Sequence, residues 1–95
     1  MECDTLEFSR HAVMKMFARG ITVDEIRLIV NLGEIISDYP DDKPLPSVLL
    51  LGFIDNKPLH VVLARDLQNQ HCIVVTAYVP DTALWQPDFK TRKAL

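Results

Sequence analysis

Apolar and polar positions alternate along the chain with two different periods. Between Ser9 and Gly20 the period is helical. Ala12, Val13, Met16 and Phe17 fall within an arc of about 140° when successive residues turn by about 100°. Ser9 suits an N-cap, because its side-chain oxygen can accept from a free amide of the first turn. Gly20 suits the left-handed stop. The spacing predicts a helix over residues 10–19 with those four residues as its core face. Thr22 and Glu25 form a capping box for a second helix that Gly33 ends. Its apolar face is Val23, Ile26, Ile29 and Val30. Leu28 and Leu32 point almost the opposite way, either under the chain tail or toward a partner. Two helices joined by so short a turn make a helical hairpin.

After Gly33 the period becomes two. Thr5–Phe8 reads as a short first strand, and Glu34–Tyr39, Ser47–Ile54, 59–64 and 71–79 as later ones. The loop 40–46 has three prolines, which deny amide donors to any ladder. Residues 55–58 form a turn. The later strands have short connections and are expected to pair as antiparallel neighbours. The predicted fold class is α+β, a helical hairpin packed on one face of a three- to four-stranded antiparallel sheet. The chain reads as one domain over 1–95, with its core in about 6–80 and a tail over 81–95 anchored by Trp85. Alternation puts Cys72, Val74, Thr76 and Tyr78 on one face of the last strand and Ile73, Val75, Ala77 and Val79 on the other. A hairpin centred near Gln68 sets His60 opposite Thr76 and diagonal to Tyr78, so that a histidine, a threonine and a tyrosine meet on one surface.

Composition bounds what that surface can do. Of the 95 residues 48% are hydrophobic and 24% charged, which excludes a disordered chain. The longest apolar run, 48–54, is far short of the roughly 20 residues that span a membrane. The acidic start has no signal-peptide pattern, so a cytoplasmic location is expected. Cys3 and Cys72 lie far apart, without zinc-ligand spacing. Free thiols are expected, with no metal and no cofactor. The net charge of −3 disfavours binding nucleic acid by bulk charge. The average hides an uneven spread. Glu34, Asp38, Asp41, Asp42 and Asp55 share their stretch with one base, Lys43. His11, Lys15 and Arg19 form a stripe at i, i+4 and i+8 on the first helix, with no acid between them. An anion is a natural complement to that stripe. His11 lies in the first turn, where the helix dipole disfavours an imidazolium, so a neutral imidazole able to act as a base is expected. Lys90, Arg92 and Lys93 make a basic cluster in the tail.

Several motifs in order resemble one family. Phe8-Ser9-x-His11-Ala12, Met16, Arg19-Gly20-Ile21 and Gly33-Glu34-Ile35-Ile36-x-Asp38-Tyr39 are followed by Pro58-Leu59-His60-Val61-Val62. Ile73-x-Val75-Thr76-x-Tyr78-x-Pro80 and Trp85 close the series. Together they resemble the domain-of-unknown-function family numbered 4258 over roughly residues 6–92. That family is small and bacterial, and its members are often encoded beside a YgiT-type zinc-finger protein. Its outline, (β)ααβββ, is similar to the RelE/ParE and MqsR toxins. The resemblance implies the toxin component of a toxin–antitoxin pair, a metal-independent endoribonuclease that cleaves mRNA by attack of a ribose 2′-OH. Free RNA or the ribosome would be its target, and a zinc-finger or helix-turn-helix antitoxin its partner. Carried over by position, His11 and His60 would share the base and acid roles, with Arg19 and Tyr78 completing the catalytic set. Lys15, Thr76 and Arg92 would bind substrate. The alternative reading is a non-catalytic module that binds a partner protein, or a second copy, through an edge strand or the Leu28/Leu32 patch.

Overall fold

The structure is a computed structural model and describes residues 3–94. Residues 1–2, part of the acidic start, and residue 95 of the tail lie outside the described residues. The elements are β1 (Thr5–Phe8), α1 (Arg10–Arg19), α2 (Val23–Leu32), β2 (Glu34–Tyr39), β3 (Ser47–Ile54), β4 (Lys57–Asp66) and β5 (His71–Tyr78). The caps read from the sequence are formed. Ser9 accepts from the Ala12 amide, Gly20 has φ 67°, and Thr22 and Glu25 close a reciprocal box. Gly33 ends α2 for a different reason. Its φ of −71° suits any residue, but a Cβ there would lie 2.5 Å from the Ile29 carbonyl oxygen.

The strands form one sheet in the order β1-β5-β4-β3-β2. β2 through β5 are antiparallel neighbours, as short connections require. The fold is therefore α+β, with a larger sheet than the antiparallel core alone. β1 adds a fifth strand, parallel to β5, which makes the sheet mixed. The helical hairpin carries the chain from this edge to the opposite one, where β2 begins. Both helices pack on one face, against Val48, Leu50, Leu59, Val61, Leu63, Cys72, Val74 and Ala77.

The free-thiol expectation is corrected. Cys3 and Cys72 form a disulfide. Their 69-residue separation hides the proximity, but the parallel pairing of Leu6 with Cys72 brings the start of the chain beside β5.

The core face expected for α1 is also corrected. Ala12 and Met16 are buried, whereas Val13 is half exposed and Phe17 is 90% exposed. β1 pairs with only the first half of β5, so the later β5 carbonyls lack a strand partner. α1 supplies donors instead. Ser9 Oγ donates to the Val75 carbonyl and Arg19 Nη1 to the Ala77 carbonyl at 2.7 Å. These bonds draw the Lys15/Arg19 flank toward the sheet and roll Val13 and Phe17 outward. On α2, Ile26, Ile29 and Val30 are buried, while Val23 is partly exposed.

Candidate functional site

The face of the sheet away from the helices collects the polar strand residues. The β3–β4 turn is a two-residue loop in which Asp55 and Asn56 both take positive φ, the conformation that matches strand twist. It sets Phe53 opposite Pro58 and Leu51 opposite His60. On the other side His60 faces Tyr78, and Val62 faces Thr76. This replaces the expected His60–Thr76 pairing. An irregularity between Val62 and Leu63 leaves Val75 without a partner, and one extra residue shifts everything after it. The same bulge changes which β5 residues share a face. Cys72, Val74 and Ala77 join the core, while Thr76 and Tyr78 share the outer face with His60.

The tail crosses this outer face. Trp85 is buried and meets the His60 ring edge-on, with centroids 4.6 Å apart. Tyr78 meets the same ring at 5.3 Å. Phe89 packs against Phe53, and Arg92 lies 5.4 Å from the Trp85 ring, close enough for a cation–π contact. Lys90 pairs with Glu34 of β2 at 2.9 Å. His60 is completely enclosed, with no exposed surface. Its Nε2 lies 2.8 Å from the Phe89 carbonyl oxygen, and a carbonyl only accepts, so Nε2 carries the proton. Nδ1 is then the bare nitrogen, positioned to accept from the Tyr78 hydroxyl at 3.3 Å. Burial lowers the His60 pKa, partly opposed by the bond to Phe89. The imidazole is therefore neutral at pH 7. Burial raises the Tyr78 pKa, Tyr39 adds to that rise, and Arg92 opposes it.

Seven residues were candidates from the sequence. His60, Tyr78 and Thr76 come together on the outer face, with Arg92 bordering them from the tail. His11, Lys15 and Arg19 belong to α1, in the layer on the other side of the sheet. His11 is exposed there, and the Arg19 guanidinium donates to the sheet edge. The α1 stripe and the strand histidine are thus separated by the sheet. A shared acid–base role for His11 and His60 at one phosphate does not match this arrangement. Trp85 and Phe89, the residues that enclose His60, were not among the candidates. Trp85 stood out only as the aromatic anchor of a tail broken by Pro80 and Pro87. Among the described residues, no group of three or more His, Cys, Asp or Glu side chains could hold a metal, and no helix is long and apolar enough to cross a membrane.

The fold and the outer-face cluster define a small α+β domain with one polar, aromatic centre beneath its tail. Residues 8–79 match the family described as Domain of unknown function (DUF4258), and the chain belongs to that family. No curated protein and no solved structure matches it. The match ends at Val79, so the tail that encloses His60 lies beyond it.

Proposed function

We propose that the protein is a protein-binding module that engages a partner through its helical layer. One observation carries this reading. The helices expose large apolar side chains in well-formed secondary structure, with Phe17 at 90%, Leu32 at 77% and Met14 at 63%. Isolated exposed apolar residues are ordinary, but Val13, Met14, Phe17, Val23, Leu28 and Leu32 all belong to two adjoining helices. The tail leaves Leu28 and Leu32 uncovered because it runs on the opposite face of the sheet. The expected partner is a small protein encoded beside this one, an antitoxin in the arrangement that the family resemblance implies. The enclosed His60, with both ring nitrogens engaged, supports binding over turnover. Co-expression with the neighbouring gene product tests the reading. A stable complex should form, and Phe17→Asp or Leu32→Asp should weaken it at least tenfold while the amide spectrum stays native. A complex indifferent to both substitutions would count against the helical layer.

A second reading has its own observation. His60, Thr76, Tyr78 and Arg92 do share the outer face. A toxin-type endoribonuclease could work there with the His60 Nδ1 as base, Tyr78 as acid and Arg92 on the phosphate, once the tail lifts. His11, Lys15 and Arg19 would have no part in that centre. RNA cleavage by the full-length chain, abolished by His60→Gln and weakened by Arg92→Gln, would support this reading over the first.

A further inference from the structure

The tail covers only one half of the outer face. Over the other half, the loop between β2 and β3 curls above β4 and β5 and leaves a cavity of about 320 Å³. Its floor is Val62 and Ala64 of β4 with Ile73 and Val75 of β5, and Leu45 forms part of the wall. Small-molecule sites begin at about 300 Å³ and combine an apolar lining with a few fixed polar groups. The fixed group here is Asp42. Ser47, 4% exposed, donates its hydroxyl to Asp42 Oδ2 at 2.6 Å, and among the described residues no hydrogen bond engages Oδ1. Lys43 also borders the cavity. It is exposed, and among the described residues no carboxylate pairs with it. Within the loop Asp41 and Asp42 outnumber the single cation Lys43, so the loop carries a net negative charge and favours a cation.

We propose that this cavity binds a small apolar amine. Its hydrocarbon body lies on Val62, Ala64, Ile73 and Val75, and its ammonium group donates to Asp42 Oδ1. The bulge at Val75 contributes, because it turns Ile73 toward the cavity while Val74 stays in the core. This site is separate from the helical layer and from His60, and it stands or falls independently of either functional reading.

The test is an amide-resolved NMR titration of the full chain with 2-phenylethylamine, and with 3-phenylpropanoate as a charge-reversed analogue of similar shape. The amine should shift the Val62, Ala64, Ile73 and Val75 signals saturably, with a dissociation constant on the order of 1 mM, as suits so small a ligand. Asp42→Asn keeps an acceptor for Ser47 and should weaken binding about tenfold. Val75→Lys, at a partly exposed position that tolerates a charge, should abolish it. Ala64→Leu fills the floor and should do the same without adding charge. The proposal is overturned if neither compound shifts these signals, if the carboxylate binds as well as the amine, or if Val75→Lys leaves binding intact. It is also overturned if the same amides shift with protein concentration alone, because a second copy would then occupy the cavity.

Discussion

Replacing His60 by leucine separates a structural histidine from one retained for chemistry. The substitution removes the Nε2–H donor and strands the Phe89 carbonyl beneath the tail. A buried hydrogen bond contributes about 1 kcal/mol net, and an orphaned buried acceptor costs about 1–3 kcal/mol. The edge-on contacts with Trp85 and Tyr78 each contribute about 0.5–1.5 kcal/mol beyond burial. Leucine restores much of the apolar packing. The bond to Tyr78, at 3.3 Å, is long for a hydroxyl donor and adds little. The expected net loss is about 2–3 kcal/mol. With a urea slope of about 1–1.5 kcal/mol/M for a domain of this size, the midpoint should fall by roughly 2 M. Urea unfolding followed by tryptophan fluorescence reads this directly, since Trp85 is the one tryptophan and lies against the imidazole. Amide exchange at residues 89–92 should quicken in parallel. An unchanged or raised midpoint would refute the reasoning. It would mean that His60 is held at a cost in stability, the signature of a group kept for function.

Three further outcomes follow from the same contacts. The folded state depresses the His60 pKa, so below about 6.5 the unfolded chain takes up a proton that the folded chain resists. The contribution of His60 to stability is therefore complete above pH 6.5 and is lost as pH falls toward the folded pKa. Comparing pH–stability curves of wild type and His60→Leu isolates it. Gly52→Ala would bring a Cβ to 2.5 Å from Ile29 Cγ1 and should cost about 1–3 kcal/mol. The cost should shrink in an Ile29→Ala background, as a double-mutant cycle can measure. Cys3→Ser opens a link across 69 positions and should lower stability under oxidising conditions by up to about 4 kcal/mol. The substitution should have no such effect in excess reductant, the state that a cytosolic location would impose.

Much of the fold was legible because its signals are local. The Ser9, Gly20 and Thr22–Glu25 caps each involve residues within a few positions of one another, and a side-chain oxygen finds an amide three residues on in almost any context. The change of period after Gly33 marked the sheet in the same way. The site was less legible because it depends on pairings between distant segments. Alternation along β5 assigned Val75 and Ala77 to one face, and a single bulged residue overruled it. Helical periodicity grouped Val13 and Phe17 with the core of α1. It cannot see that the later β5 carbonyls lack a strand partner and recruit Arg19, which rolls the helix.

The sequence alone determined the elements, their caps, the α+β class and the gathering of His60, Thr76 and Tyr78 on one surface. Only the tertiary structure decided that β1 lies parallel to β5 and joins Cys3 to Cys72. It also put His11, Lys15 and Arg19 across the sheet from that surface, and turned Trp85 and Phe89 onto His60. Each of these rests on free energy gained between segments tens of residues apart, through paired edges, buried aromatic surface and satisfied carbonyls. A pattern read over one or two turns of helix carries no record of such partners.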